Sequence, residues 1–316
     1  MDNKEQAELL GLKFYQGKVR DTFAKDGYIC LVATDRISAF DHILPKDVPG
    51  KGIVLNEMTK YALGKIGTTV PHWLIESPHP NILFGHACKP FKIEVVMRAY
   101  IVGSLWRKYS KDRVRECWGY RLPEGMQENQ KLDEIMLTPT TKAEEGHDLD
   151  ITEAEILEQG LATEEQWNTI KKYSEELFNI GTRAAKERGL ILVDTKYEFG
   201  TDPRGTIRLI DEVHTPDSSR YFYADEYEER FTMKEKQKQL SKEFVREWLM
   251  AHGFEGKEGQ FMPDITDEVV DLWQTRYFEL LQVMTGETMH HAPPSINMDN
   301  VMEVMKNTFK KHITPA

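Results

Sequence analysis

Cysteine is scarce in this sequence: Cys30, Cys88 and Cys117 are the only three in 316 residues, widely spaced and without a CxxC pair. That excludes a disulfide scaffold and leaves free, buried thiols of a reducing compartment as the ordinary explanation. Long apolar runs are missing too, none approaching the ~18 residues needed to span a bilayer. The opening MDNKEQAELL has neither the basic region nor the apolar stretch of a secretory signal. These absences together predict a cytoplasmic protein without membrane association. Positive charge is also short, the net charge being −11, which argues against a nonspecific nucleic-acid binder with a basic face that displaces counterions. No GxxxxGK[ST] phosphate loop, no internal repeat and no low-complexity tract is present.

What is there suits an ordinary globular core, with 40% hydrophobic residues and a length that fits two domains, or one with a substantial extension. Charge is uneven. Residues 1–110 carry 15 Lys and Arg against 11 Asp and Glu, while the remainder carries 26 against 41. A basic first third suits a phosphorylated small molecule.

Up to about residue 100 the chain reads as short strands, such as GYICLVA at 27–33 and FKIEVVM at 91–97, with Pro and Gly between them. A charged loop is expected over 121–150. Residues 163–188 predict a helix: Thr163 and Gln166 make a capping box, Trp167, Ile170, Tyr173 and Leu177 recur at helical spacing, and Gly189 supplies the stop. A strand pair follows at 190–213, then helices at 241–252, 266–285 and 298–311, the last two separated by a His-His-Ala-Pro-Pro break. Strands first and helices later, without regular alternation, predict an α+β protein.

Chemistry concentrates in four places. Gly17-Lys18-Val19-Arg20-Asp21, in an expected hairpin, places backbone N–H groups and an ammonium where phosphates could lie, although an exposed charged turn is the commoner origin of such a pentapeptide. Thr34-Asp35-Arg36-Ile37-Ser38-Ala39-Phe40-Asp41 leaves a strand end, where binding loops usually sit; a turn that satisfies its own backbone is the alternative. Gly50-Lys51-Gly52 reads as another Gly-rich turn with a cation. Arg98 precedes Gly103-Ser104 and a helix start, a combination that offers free N–H groups, a hydroxyl and a guanidinium fork to an anion. Finally, strand alternation puts Asp194, Lys196 and Glu198 on one sheet face and Thr195, Tyr197 and Phe199 on the other. A second strand ends at Asp211-Glu212. Two acids and a lysine on one surface suit magnesium and a nucleotide, and a solvated face with cross-strand ion pairs is the ordinary alternative.

Eight segments in order, GKVRD (17–21), TDRISAFD (34–41), GKGIVLNEMT (50–59), FKIEVVMRAYIVGS (91–104), TPTTKAEEGHD (138–148), LVDTKYEFG (192–200), LIDEVHTPDSSRYF (209–222) and SKEFVREWL (241–249), resemble the phosphoribosylaminoimidazole-succinocarboxamide synthase (SAICAR synthetase) family. The resemblance implies an ATP-dependent, magnesium-using ligase that joins carboxyaminoimidazole ribonucleotide (CAIR) to L-aspartate through an acyl phosphate. It also implies an ATP-grasp-like or kinase-like two-domain architecture: a nucleotide-binding lobe over 1–95, a substrate and metal lobe over 96–285, and an extension over 286–316 that the resemblance does not reach. Oligomerisation is left open.

The resemblance carries roles as well. Gly17, Lys18, Val19 and Arg20 would lie over the ATP phosphates, and Glu94 belongs to the strand implied to hold the adenine. Glu198 and Asp211 would hold magnesium, Lys196 would neutralise phosphate, and Asp194 would orient the ribonucleotide. Arg98, Ser104 and Arg220 would take its phosphate. Arg36, Ser38 and Asp41 would receive the reacting carboxylate and aspartate, with Lys142, His147 and Asp148 as further members of that pocket. Two positions depart from the family pattern: Lys92 stands where many relatives have Pro, and Ser241-Lys242-Glu243 replaces the usual Asp-Lys-Gln. The rival readings are a small-molecule kinase that stops at phosphate transfer and a nucleotide-binding module without catalysis.

Overall fold

The computed structural model describes residues 3–142, 149–290 and 297–313. Two antiparallel sheets face each other across a cleft. The first has five strands in the spatial order Lys13–Gln16, Arg20–Lys25, Tyr28–Ala33, Ile82–His86, Leu74–His79. Its alternation is plain in Tyr28–Ala33, where Ile29 and Leu31 line the cleft while Cys30 and Val32 are buried against the opposite layer. That layer is the helix Met298–His312, whose Val301, Met302, Met305 and Phe309 pack with Phe23, Ile82 and Phe84. The last expected helix therefore closes the outer face of the first sheet.

The second sheet is built around the long strand Leu190–Thr201. It pairs with Lys89–Tyr100 on one side, and with Ser219–Tyr223 and Ile207–Ile210 on the other. Lys89–Tyr100 belongs to this sheet over its whole length, so residue 95 lies inside a strand. The helix Glu164–Lys186 covers the sheet, burying Trp167, Ile170, Leu177 and Phe178. Its expected capping box is present: Gln166 N–H donates to Thr163 Oγ1 at 3.2 Å, and Thr163 N–H donates to Gln166 Oε1 at 2.9 Å. Helices Glu243–Ala251 and Asp267–Thr285 complete the core near their expected places.

Two expectations are corrected. Lys51–Ile66 is a sixteen-residue helix rather than a turn among strands. Asp35 starts it by accepting the Gly50 and Gly52 N–H groups at 3.1 and 3.0 Å, which satisfies donors that a helix start leaves open. The charged segment 121–150 contains the eleven-residue edge strand Lys131–Thr141. A register shift between Lys131 and Met136 breaks its two-residue period, so alternation is lost from the sequence while the strand survives. The outcome is the α+β, ATP-grasp-like arrangement that the order of elements and the resemblance predict.

Candidate active site

Register decides what meets on the second sheet. Opposite the central strand, Asp194 faces Arg98 and Glu198 faces Glu94 on one side; Asp194 faces Arg220 and Glu198 faces Ile210 on the other. Thr195, Tyr197 and Phe199 point into the core at 1% exposure or less, so Asp194, Lys196 and Glu198 share the cleft face as alternation requires. Asp211 follows Ile210 with φ of 60°, and its carbonyl accepts from Trp73 Nε1 at 2.9 Å. Glu198 and Asp211 thus line one cleft instead of opposite surfaces.

That cleft measures about 830 Å³. Its apolar wall includes Val19, Ile29, Leu31, Trp73 and Ile210; at the polar end lie Lys18, Arg20, Asp41, Glu94, Lys142, Lys196, Glu198 and Asp211. The Gly17 turn is tight, with Gly17 N–H donating to Arg20 O at 2.8 Å. A Cβ at Gly17 would stand 2.7 Å from the Arg20 carbonyl oxygen, so a side chain there requires backbone movement. Lys18 pairs with Asp41, and Arg20 with Asp211 at 3.3 Å and Glu212 at 2.7 Å.

Of the four carboxylates at this end, Glu94, Glu198 and Asp211 influence one another's neighbourhood most. Lys196 Nζ reaches Glu94 at 2.8 Å and Glu198 at 2.6 Å, and Lys142 also pairs with Glu198. Burial opposes ionisation of Glu198, but the Lys196 and Lys142 ammoniums hold it below the ordinary carboxylate range. Burial pushes Glu94 up to about 7, with Lys196 opposing and Glu198 adding repulsion. Asp211 is raised by burial as well, Arg20 pulling it down while Glu198 and Glu212 push it up. Glu198 thus raises both Glu94 and Asp211, so added positive charge at this end is stabilising.

A second cavity, of about 340 Å³, opens on the far side of Glu94 and Lys196, which line both. Here Arg98, Ser104, Asp194 and Arg220 converge. Arg98 donates to Thr138 Oγ1 at 3.0 Å, to Ser104 Oγ at 3.2 Å and to Asp194 Oδ2 at 3.4 Å. Arg220 lies 3.5 Å from Asp194 and 3.4 Å from Glu243, and its buried Nε has no hydrogen-bond acceptor among the described residues. Gly103 opens the helix Gly103–Ser110 with φ of 53°, and a Cβ there would stand 2.7 Å from Arg220 Nη2. Glycine at 103 therefore lets the guanidinium lie against a helix start, an arrangement built for an anion.

Several residues in and behind this cavity were not singled out as ligands from sequence. Lys242 reaches Asp217 at 3.3 Å and Ser38 Oγ at 3.4 Å. Lys51, fully buried, reaches the same Asp217 oxygen at 2.9 Å, and Tyr277 OH donates to the other at 2.6 Å. Burial works against the Asp217 carboxylate, yet Lys242, Lys51 and Tyr277 hold it well below its ordinary range. Asp217 stands in the segment LIDEVHTPDSSRYF that also carries Arg220, so its chemistry was visible though its partners were not. Arg36 lines neither cavity: it donates to Asp21 at 2.6 Å and to Gly17 O at 3.0 Å, bracing the glycine turn from behind. Ser38 meets the smaller cavity through Lys242. His147 and Asp148 lie outside the described residues.

The sequence model of the SAICAR synthetase family matches residues 13–261. A phosphoribosylaminoimidazole-succinocarboxamide synthase of Bacteroides fragilis is 54% identical over 275 residues, covering 86% of this chain and 87% of that one. Among solved structures, the SAICAR synthase of Saccharomyces cerevisiae complexed with SAICAR superposes with a TM-score of 0.74 at 32% identity, over 89% of this chain and 97% of that one. A type-2 SAICAR synthetase in complex with ADP gives 0.68 at 22% identity, over 88% of this chain and all of that one, a likeness that bears on fold alone. With four-fifths of its length matched by the family's own pattern, and with relatives of this identity, the chain belongs to the SAICAR synthetase family.

Proposed function

We propose that the two cavities act as one ligase site, with ATP in the larger cleft, CAIR in the smaller cavity and phosphoryl transfer at the Lys196–Glu94 seam between them. As a SAICAR synthetase the chain is an ATP-dependent, amide-forming ligase of purine biosynthesis. The observation that carries the assignment of cavities is that Lys196 and Glu94 line both of them.

A carboxylate resists attack by an amine because its leaving group would be oxide. Phosphorylation of the CAIR carboxylate gives an acyl phosphate, from which phosphate departs as the aspartate nitrogen bonds to the acyl carbon. Bringing triphosphate, ribonucleotide phosphate and aspartate together requires balancing charge, and the chain supplies Lys18, Lys196, Arg98 and Arg220 for that purpose. The Gly17–Arg20 turn covers the triphosphate, and the strand bearing Glu94 lies beside the base. Asp194 fixes Arg98 and Arg220 for the ribonucleotide phosphate, with Ser104 at the helix start. Ser38, Asp41 and Lys142 border the place where the carboxylate and aspartate meet, and Arg36 holds the turn above it. In this reading the five-stranded sheet forms the nucleotide lobe and the sheet that begins with Lys89–Tyr100, with residues to 285, forms the substrate lobe, so the division lies nearer residue 88 than 95, and the terminal helix supports the first.

Magnesium fits the donor set. Glu198 and Asp211 would offer hard carboxylate oxygens to it at the polar end of the cleft, and it would relieve the repulsion that Glu198 exerts on Glu94 and Asp211. Bound there, it would shield the phosphate oxygens. The exposed Lys142 and the paired Lys196 hold Glu198 ionised for that role. No helix among the described residues is long and apolar enough to cross a membrane, and the free thiols suit the reducing cytoplasm in which we place the reaction.

The test uses CAIR with ¹⁸O in its carboxylate. One label is expected in the inorganic phosphate released, with ADP formation dependent on aspartate. Unlabelled phosphate would remove the acyl phosphate, and a stable phosphorylated product without aspartate would make the enzyme a kinase.

A further inference from the structure

The Lys51–Asp217–Lys242 cluster holds two ammonium groups against one carboxylate. Asp217 Oδ2 faces Lys51 Nζ at 2.9 Å and Lys242 Nζ at 3.3 Å, while Oδ1 is taken by Tyr277 OH at 2.6 Å. The Lys51, Asp217 and Lys242 side chains are 0%, 4% and 10% exposed. One unit of positive charge is thus uncompensated in a place nearly closed to water, and the cluster relaxes when one lysine gives up its proton.

The two lysines differ in what they can do with that proton. Lys51 lies nearer Asp217, with its ammonium 5.6 Å from the centre of the Tyr277 ring, and it lines neither cavity. Lys242 lines the smaller cavity beside Arg98 and Asp194, with Ser38 Oγ at 3.4 Å. Only Lys242 can exchange a proton with a ligand. The other charges around it are Arg246 and Glu212, with Glu243 already engaged by Arg220 and Arg246. Burial brings the Lys242 ammonium down to about 8; Asp217 opposes the shift, and Lys51 and Arg246 add to it.

We propose that Lys242 is the general base that accepts the proton from the α-ammonium of aspartate, a role that rests on the ligase reading above. Neutral Lys242 takes that proton and becomes an ammonium. The freed nitrogen pair forms the C–N bond as the acyl C–O bond to phosphate breaks, and the second N–H proton leaves with the phosphate. Lys242 returns its proton to water between turnovers.

The experiment compares aspartate with hydroxylamine, an amine already neutral at pH 7, as acceptors for K242M and K242R. Met keeps the length of the side chain without a base, and Arg keeps the charge without titrating. Loss of a positioned base lowers rates by about 10²–10⁴-fold. Aspartate-dependent kcat/KM is therefore expected to fall by at least about a hundredfold in both variants. It should recover about tenfold per pH unit as the medium deprotonates aspartate. Hydroxamate formation should fall far less, which also shows that the variants fold and still activate the carboxylate. In the unaltered enzyme, kcat/KM for aspartate should rise with a midpoint near pH 8 and level off above it, with no such limb for hydroxylamine. Normal turnover in K242R, or a loss confined to the KM for aspartate with an unaltered pH profile, would make Lys242 a carboxylate anchor and overturn the proposal. Equal dependence of both acceptors on pH in the unaltered enzyme would do the same. Failure to form hydroxamate in the unaltered enzyme would instead strike the acyl phosphate reading itself.

Discussion

The two cavities meet at Lys196 and Glu94, yet they are made on opposite plans. The larger has an apolar wall from the five-stranded sheet and an acidic end from the second sheet, a division that suits a planar base joined to a polyphosphate. The smaller is lined by charged and hydroxyl side chains, with Val96 and Pro216 as the apolar part of its lining. Most ions in it are buried, and several are held in pairs before any ligand arrives, as in Arg98 with Asp194 and Arg220 with Glu243. Preformed pairs of this kind hold long side chains in fixed positions, so less freedom remains to be lost on binding. In the larger cleft Glu198 repels both Glu94 and Asp211, a repulsion that a cation would relieve under the function proposed above.

The largest predicted effect breaks the acidic end of the larger cleft. Glu198→Ala or Asp211→Ala should each lower turnover by about a hundred- to a thousandfold, the scale for loss of a preorganised electrostatic contact. Folding should survive, because Lys196 keeps Glu94 at 2.8 Å and the half-exposed Lys142 can return to water. Steady-state rates at saturating ATP and magnesium, beside a thermal melt, check this. Two nearly normal enzymes would remove the carboxylates from the metal assignment.

Arg220→Ala tests the other plan. Its neighbours keep partners, Asp194 with Arg98 and Glu243 with Arg246 at 3.1 Å, so the change subtracts mainly the contact to the ligand. Removing one member of a buried charge pair commonly costs about 2–5 kcal/mol, and we expect at least about a thirtyfold weaker CAIR interaction. ATP should change by less than about threefold. Calorimetry for both ligands measures the ratio, and equal weakening would mean that the cavities are not separate in function.

The division between the cavities was only partly legible in the sequence. Alternation along Leu190–Thr201 identified the faces of Asp194, Lys196 and Glu198, because a buried strand flanked by ladders on both sides leaves each side chain one direction. It could not show which residues of Lys89–Tyr100 stand opposite, since register is set by pairing at long sequence separation. The helix Glu164–Lys186 was readable from its local capping box. Lys51–Ile66 was not read, because Gly50, Gly52 and Gly64 imitate turns, although Val54, Leu55, Met58, Ala62 and Ile66 keep the helical period. The Lys51–Asp217–Lys242 cluster joins three elements that have no local signature in common. Arg36 sat in a recognisable motif, but only the folded turn reveals that its guanidinium supports Gly17 from outside both cavities.

A smaller effect should separate the sheets by stability. Phe309 meets Phe84 edge-on at 5.4 Å, where the terminal helix covers the first sheet. Phe309→Ala should destabilise the protein by about 3–5 kcal/mol through lost burial and the cavity left behind. Because the second sheet has its own core, ATP affinity should drop while the CAIR affinity holds. Urea denaturation and ligand titrations test both halves. A loss shared equally by the two ligands would show that the terminal helix supports the whole molecule.

The smallest effect lies where that helix is clasped at the surface. Lys311 and His312 each reach Glu76 at 2.7 Å, and the Lys311 ammonium, against partial burial and aided by His312, lowers the Glu76 carboxyl below its ordinary value. A carboxyl depressed in the folded state stabilises above the unfolded value of about 4.3, and that contribution is lost as pH falls through the lower folded value. Exposed pairs contribute about 0.2–1 kcal/mol, so Glu76→Gln should reduce stability by no more than that at pH 7 without affecting turnover. The gap between variant and parent should close in acid and shrink in high salt. If urea titrations at pH 7 and pH 3 gave the same difference, the clasp would owe nothing to charge, and the helix would be held to the first sheet by Val301, Met305 and Phe309 alone.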